Sequence, residues 1–207
     1  ETVDQNIAIG TDALYGGDLA GTDRDYANNI AIGFQVMDGT GAIGGEDNIF
    51  LGRDSGGGSW STAASNFNVG VGNYNMDAAM NGALGNVSMG YKALQQVVDG
   101  DYNVAIGYEA GNDIVSGHNN VLIGHQAGDK SSAGGYMVII GDTAGGADMT
   151  GDADGTIAIG ASALENLTTG GSNLAIGRTA LQQHTTGSRN IAIGHGSMAD
   201  TYGDVDK

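Results

Sequence analysis

The feature that most constrains this 207-residue chain is that it repeats itself. Asn103-Val104-Ala105-Ile106-Gly107 returns seventeen residues later as Asn120-Val121-Leu122-Ile123-Gly124, and Ala110-Gly111 returns as Ala127-Gly128. The same short apolar run ending in glycine occurs eleven times, with its glycine at 10, 33, 52, 72, 90, 107, 124, 141, 160, 177 and 194. The spacings are 23, 19, 20, 18, 17, 17, 17, 19, 17 and 17 residues. A fixed period of this length means stacked units that bury their apolar side against their neighbours. Spacings longer than seventeen place extra residues in loops, because the stacked strands must keep register.

The runs predict the strands. Nine of the eleven begin with asparagine: Asn6, Asn29, Asn48, Asn68, Asn86, Asn103, Asn120, Asn173 and Asn190, with Met137 and Thr156 as exceptions. An asparagine at the same place in every coil can form a ladder of side-chain amides, each bonded to the coil above and below. Positions two and four of each run are large and apolar, as in Ile7 and Ile9 or Val121 and Ile123. Alternation puts that pair on one face and position three on the other. The expectation is that the pair fills the coil and position three faces outward. That row contains Ala8, Ala31, Ala105, Leu122, Ile139, Ala158, Ala175 and Ala192, and an outward apolar stripe implies cover by other copies of the chain. Three and four residues after the glycine come Ala93-Leu94, Ala163-Leu164 and their equivalents, read as a second strand closing the coil from the opposite wall. In Ser55-Gly56, Ala110-Gly111, Ala127-Gly128 and Ala144-Gly145 the large residue is missing, so those coils are expected to be thinner or filled by residues such as Ile114. The fold class is therefore all-β, a parallel β-roll solenoid of about eleven coils in a single domain over residues 1–207. Its loop insertions lie at 11–28, 53–67 and 142–155.

Composition agrees and narrows the function classes. There are 39 glycines, no proline and no cysteine, which suits many turns with positive φ and excludes disulfides and thiolate chemistry. The 24 acidic and 7 basic residues leave a net charge of −17, which argues against nucleic acid and against anionic membrane surfaces. No apolar run reaches the length of a membrane span.

The repeat, Asn-aliphatic-Ala-Ile-Gly followed by two variable residues and Ala-Leu, resembles the head repeats of trimeric autotransporter adhesins. These form the YadA-like left-handed parallel β-roll, and similar repeats occur in phage tail fibres and other virion or cell-surface fibres. The resemblance runs from Asn6 to Met198. It implies a homotrimer of β-rolls acting as an extracellular, cell-surface or virion-surface rod that binds or spaces.

Candidate chemistry is sparse. The loops on a rigid scaffold are the expected carriers of specificity. Trp60, the only tryptophan, lies in the second insertion, and Asp18, Asp23, Asp25 and Tyr26 lie in the first. The residue just after each glycine varies freely, and Tyr91, Tyr108 and His125 fall there on successive repeats. Together with Trp60 they are the candidate site for a host glycan or protein. Asp148, Asp152 and Asp154 in the third insertion are the candidate metal ligands, for calcium. Asp152-Ala153-Asp154-Gly155 lacks the remaining ligands of an EF-hand, since Thr156 and Ala163 fall at its fifth and twelfth positions. His118, His125, His184 and His195 are expected at the solvated surface. No nucleophile elbow or phosphate loop appears, and one acyltransferase-like hexad per seventeen-residue coil falls short of that fold, so the expectation is a non-enzyme with no cofactor. Neither end of the repeat array shows a divergent capping repeat, so end-to-end stacking into a filament is the alternative to a trimeric head or spacer rod.

Overall fold

The computed structural model describes residues 5–15, 27–40, 45–60 and 63–200. Aspartates 18, 23 and 25 and Tyr26 lie outside them. The described residues build one eleven-stranded parallel sheet in which strand order equals chain order. Its strands are β1 (Ile7–Ile9), β2 (Ile30–Ile32), β3 (Ile49–Leu51), β4 (Val69–Val71), β5 (Val87–Met89) and β6 (Val104–Ile106). They continue as β7 (Val121–Ile123), β8 (Val138–Ile140), β9 (Ile157–Ile159), β10 (Leu174–Ile176) and β11 (Ile191–Ile193). Register never slips: Val104 faces Val121, and across the two-residue expansion Val138 still faces Ile157. The third insertion absorbs its extra residues in a short 3-10 turn, Gly151–Ala153. Among the described residues there is no α-helix. Ten steps at ~4.8 Å make a rod of roughly 48 Å.

Each strand stops at its glycine for a steric reason. The eleven motif glycines have φ between +124° and +144°, as at Gly194 and Gly141. A Cβ on Gly107 would lie 2.2 Å from the carbonyl oxygen of Gly124 in the next coil. That combination of backbone angle and close approach admits no other residue.

The opposite wall corrects the expectation of a second strand. Residues 11–14, 91–96 and their equivalents are turns. Positive φ recurs at alternate residues, as at Lys92 (+57°) and Leu94 (+51°) or Gln126 (+51°) and Gly128 (+59°). This winding curls the chain within a few residues, where an extended strand would overshoot. The amides still find partners in the neighbouring coils: Gln126 N–H donates to the Tyr108 carbonyl at 2.8 Å, and Gly128 N–H to the Ala144 carbonyl at 2.9 Å.

The sheet is also turned inside out relative to expectation. Position three is the interior row. Ala31, Ala105, Leu122, Ile139, Ala158, Ala175 and Ala192 are buried within the single chain, so they are core residues rather than an interface. Only Ala8, on the first strand, is exposed. The cause is volume. Where the turn wall supplies Met37, Met76, Leu94, Leu164 or Leu181, the facing strand residue is Ala31, Gly70, Ser88, Ala158 or Ala175. Where the turn wall has Gly56, Gly128 or Gly145, the strand supplies Phe50, Leu122 or Ile139. A Cβ on Gly56 would lie 2.9 Å from the Phe50 ring, and one on Gly128 would lie 2.8 Å from Leu122. The coil is narrow, so one large side chain from either wall fills it at close-packed density. The coil of Ala105 and Gly111 is filled by its own Ile114, as expected, and by Leu94 and Leu122 from the coils on either side.

Beside this core runs the amide ladder, as expected. Asn29, Asn48, Asn68, Asn86, Asn103 and Asn120 are fully buried. Asn103 is typical. Its Nδ2 donates to Asn86 Oδ1 at 3.0 Å and to the Gly117 carbonyl of the following coil at 2.8 Å. Its Oδ1 accepts from the backbone N–H (3.1 Å) and Nδ2 (2.9 Å) of Asn120. Met137 and Thr156 interrupt the ladder, and the Thr156 hydroxyl is left buried without a partner.

Candidate functional site

Turning the strand over places both large aliphatic residues of every strand on the outside. Two columns result: Ile7, Ile30, Ile49 and so on to Ile191, and Ile9, Ile32, Leu51 and so on to Ile193. Val, Ile, Leu and Met fill all of these positions, and none is polar. Every one is half-buried or exposed; Ile106 is 37% exposed and Met89 51%. Aromatic residues border both columns. On the side preceding the strands lie Phe67, Tyr102 and Tyr136, and on the side following them Phe34, Tyr91 and Tyr108. Among the described residues, every exposed large apolar side chain except Tyr15 and Val115 belongs to this wall. The sequence carried a signal for this surface that alternation alone does not decode. A bulky third position appears only where the turn wall offers glycine, which identifies the third position as inward-facing.

The column after the glycines stacks from Tyr91 through Tyr108 to His125, and Tyr74, one residue further from its glycine, extends it edge-on. Tyr91 and Tyr108 lie face to face with ring centroids 5.3 Å apart, and Tyr108 stacks on His125 at 5.4 Å. Tyr74 meets Tyr91 edge-on at 5.7 Å, and the Arg53 guanidinium sits between the rings of Phe34 and Tyr74 at 5.5 and 5.6 Å. His125 Nδ1 lies 2.8 Å from Asp142 Oδ1, and Arg178 lies 2.8 Å from Nε2 of His195. The coil spacing brings these side chains together, since flat rings one coil apart are at stacking distance. Their faces cover one another, so the column offers a partner ring edges and phenolic oxygens. Glu109 beside the Tyr108 hydroxyl holds its ionisation above the usual tyrosine value.

Other candidates disperse. Trp60 is fully buried, its ring edge-on to Phe50 at 6.4 Å, and belongs to the core instead of a binding loop. Gly45 makes room for it, since a Cβ there would lie 2.4 Å from the Trp60 ring. His184 is also buried rather than solvated, 3.0 Å from the Asn190 amide nitrogen, and extends the ladder. His118 is half-buried and packs edge-on to Tyr136 at 5.1 Å. Asp148 accepts from the Ser132 hydroxyl at 3.2 Å, and Asp154 from the backbone N–H of Gly135 at 2.7 Å. Asp152 is exposed. The described residues contain no group of three or more His, Cys, Asp or Glu that could hold a metal ion.

Carboxylates collect instead on the turn wall. Asp38 and Asp77 stand two coils apart, on either side of Gly57. Burial, together with the charges of Asp54 and Asp38, raises the Asp77 carboxyl to about 6. Burial and Asp54 raise Asp38 as well, and burial raises Asp129. The neutral, apolar strand wall and the acidic turn wall thus face opposite ways. Compared with known protein families, curated proteins and solved structures, the chain matches none.

Proposed function

We propose that the chain is a non-enzymatic module of an extracellular or virion fibre. Three copies would associate side by side through the aliphatic wall, forming a rod that spaces or presents a receptor-binding surface. The observation that carries this reading is the pair of unbroken aliphatic columns on the outside of the sheet. A soluble monomer seldom leaves so continuous an apolar strip in water. The occupant that suits it is another copy of the chain. A strip with a ~4.8 Å repeat is matched along its whole length only by a surface of the same repeat. The likeness to trimeric autotransporter head repeats supports three copies and a surface location. The exposed faces of such a rod are the acidic turn wall and the tyrosine column, where a glycan or protein receptor would bind.

Light scattering and sedimentation test the assembly. Wild-type chain is expected to sediment as a trimer, and the double variant Ile106→Asp, Ile123→Asp as a monomer with unchanged circular dichroism. A wild-type monomer at every concentration would overturn the reading. Binding to immobilised glycans and cell-surface proteins, lost on Tyr91→Ala with Tyr108→Ala while assembly persists, separates a binding head from a spacer.

A further inference from the structure

Five residues after each motif glycine the chain runs along the turn wall. Between Asp38 and Gln182 that column is polar except where glycine interrupts it, at Gly57 and at Gly146. Each of these glycines has a carboxylate in the coil before and in the coil after: Asp38 and Asp77 around Gly57, Asp129 and Glu165 around Gly146. The two gaps end differently. A Cβ on Gly57 would lie 2.9 Å from Asp77 Oδ1 and 3.3 Å from Asp38 Oδ1, so the carboxylates close over it. The atoms nearest a Cβ on Gly146 would be the Thr143 carbonyl oxygen at 3.2 Å and the carbonyl oxygen and Cγ of Glu165 at 3.7 and 3.8 Å, none of them a carboxylate oxygen. Over Gly146 and Ala147 there remains an open cavity of about 360 Å³, a volume in the range of small-molecule sites.

The backbone opens at the same place. On this wall the residue six after the glycine donates to the following coil: Gln96 N–H to the Asn112 carbonyl at 2.9 Å, and Asp113 N–H to the Asp129 carbonyl at 2.7 Å. The pattern resumes with Asn166 N–H to the Gln182 carbonyl at 3.3 Å and Gln183 N–H to the Ala199 carbonyl at 3.0 Å. Among the described residues no such bond joins Lys130 to Gly146 or Ala147 to Glu165. The Lys130 N–H turns to the Asp129 carboxylate instead, and the Ala147 N–H is left at the cavity without a partner in the described chain.

Side-chain N–H groups around the cavity are spent inside the chain. Gln126 Nε2 donates to Glu109 at 2.8 Å, Asn166 Nδ2 to the Gln182 carbonyl at 2.9 Å, and Gln182 Nε2 to Glu165 Oε2 at 2.6 Å. What the lining keeps for a ligand is therefore mostly acceptors: the amide oxygens of Gln126 and Asn166 and the carboxylates of Asp129 and Glu165. The Lys130 ammonium and the Ala147 N–H are its donors. A ligand that fits must donate to several oxygens and also accept from an ammonium, and hydroxyl groups do both. A cation would leave Lys130 unmatched and be repelled by it. An anion would meet two carboxylates on a chain of net charge −17. The geometry points to a neutral, hydroxyl-rich sugar unit bound between Asp129 and Glu165. Its hydroxyls donate to these carboxylates and to the amide oxygens, and accept from Lys130, over a floor of Gly146 and Ala147. This deepens the receptor-binding part of the proposed function and rests on that part alone, since a single chain builds the whole cavity.

The methyl glycosides of glucose, galactose and mannose, titrated into the chain by calorimetry and NMR, test the site. At least one is expected to saturate a single site per chain. Gly146→Gln fills the cavity with the side chain that the same column carries at Gln95 and Gln182, so the coil is expected to keep its circular dichroism. Binding is expected to weaken about tenfold or more in that variant, and by about tenfold in Glu165→Ala. Failure of all three sugars to saturate would overturn the proposal, and so would binding that survives Gly146→Gln. If Gly146→Gln does not fold, Glu165→Ala decides by the same criterion. Glucosamine or spermidine binding more tightly than every neutral sugar would make this a cation site and overturn it as well. Sugar binding lost on Tyr91→Ala with Tyr108→Ala but kept in Gly146→Gln would move the sugar to the tyrosine column, overturning the cavity while the receptor reading stands. Lateral association is read separately, by sedimentation of Ile106→Asp with Ile123→Asp, so either can fail without the other.

Discussion

The strand wall and the turn wall carry the same number of coils and the same kind of support between them, yet they tolerate very different sequences. On the strand wall the backbone is extended, the glycine recurs eleven times and the outward residues are all aliphatic. On the turn wall positive φ alternates along the chain, and the first outward column runs through Asp12, Gln35, Asp54, Tyr74, Lys92, Glu109 and Gln126. The backbone hydrogen bonds of the turn wall do not depend on side-chain identity, so composition there is free. The strand wall is restricted twice: its glycines by backbone contact between coils, and its asparagines by a buried amide chain. Regular stacking leaves a residue free only where its side chain leaves the ladder.

The sharpest way to break this contrast is at a glycine. Gly107→Ala puts a methyl group 2.2 Å from the Gly124 carbonyl oxygen at φ +141°, and a loss of about 3 kcal/mol or more is expected, read as a fall in the denaturation midpoint. Asn103→Leu comes next. It removes the acceptor for Asn120 and the donor for Asn86 and Gly117, and a cost of about 2–3 kcal/mol is expected from buried groups left unpaired. Unfolding of Asn103→Leu at wild-type denaturant concentration would mean that the ladder is decorative.

Two smaller tests sharpen the other side. Asp77 on the turn wall titrates near 6 in the folded chain, above its ordinary value of 3.8. The folded state therefore binds the proton more tightly than the unfolded chain. Stability is expected to rise as pH falls from about 6 towards 4 and to be lowest above 6, by about 1 kcal/mol after solvent screening of this half-buried group. Asp77→Asn should flatten that part of the pH profile and raise the midpoint at pH 7; an unchanged profile would refute the assignment. The smallest effect is expected at Lys92, a turn-wall residue at φ +57°. Lys92→Asn keeps a residue that tolerates this angle and should shift stability by less than about 0.5 kcal/mol in thermal unfolding.

Much of the architecture is legible in the sequence alone. The eleven strands fall where the Asn-to-Gly runs place them, and the amide ladder forms wherever asparagine recurs. What misled was a wall apolar on both sides. Alternation says that Val104 and Ile106 point away from Ala105, and nothing more. With Ala and Leu in one row and Val and Ile in the other, hydrophobicity cannot choose the interior. The pairing of Phe50 with Gly56 and of Ser88 with Leu94 could have chosen, because only residues that share a cavity compensate in volume. Trp60 misleads for a similar reason. A lone tryptophan in a glycine-rich insertion reads as a loop ligand, and its burial depends on the room that Gly45 leaves for its ring, a contact that exists only once the coils are stacked.

The sequence by itself determined the period, the parallel register and the glycine and asparagine columns, because each follows from contacts between one coil and the next. Which face of the strand meets the core, how the opposite wall turns, and which aromatic rings stack were decided only in three dimensions. Those depend on the width of the coil, and that width is set by side chains meeting across it from positions distant in the repeat.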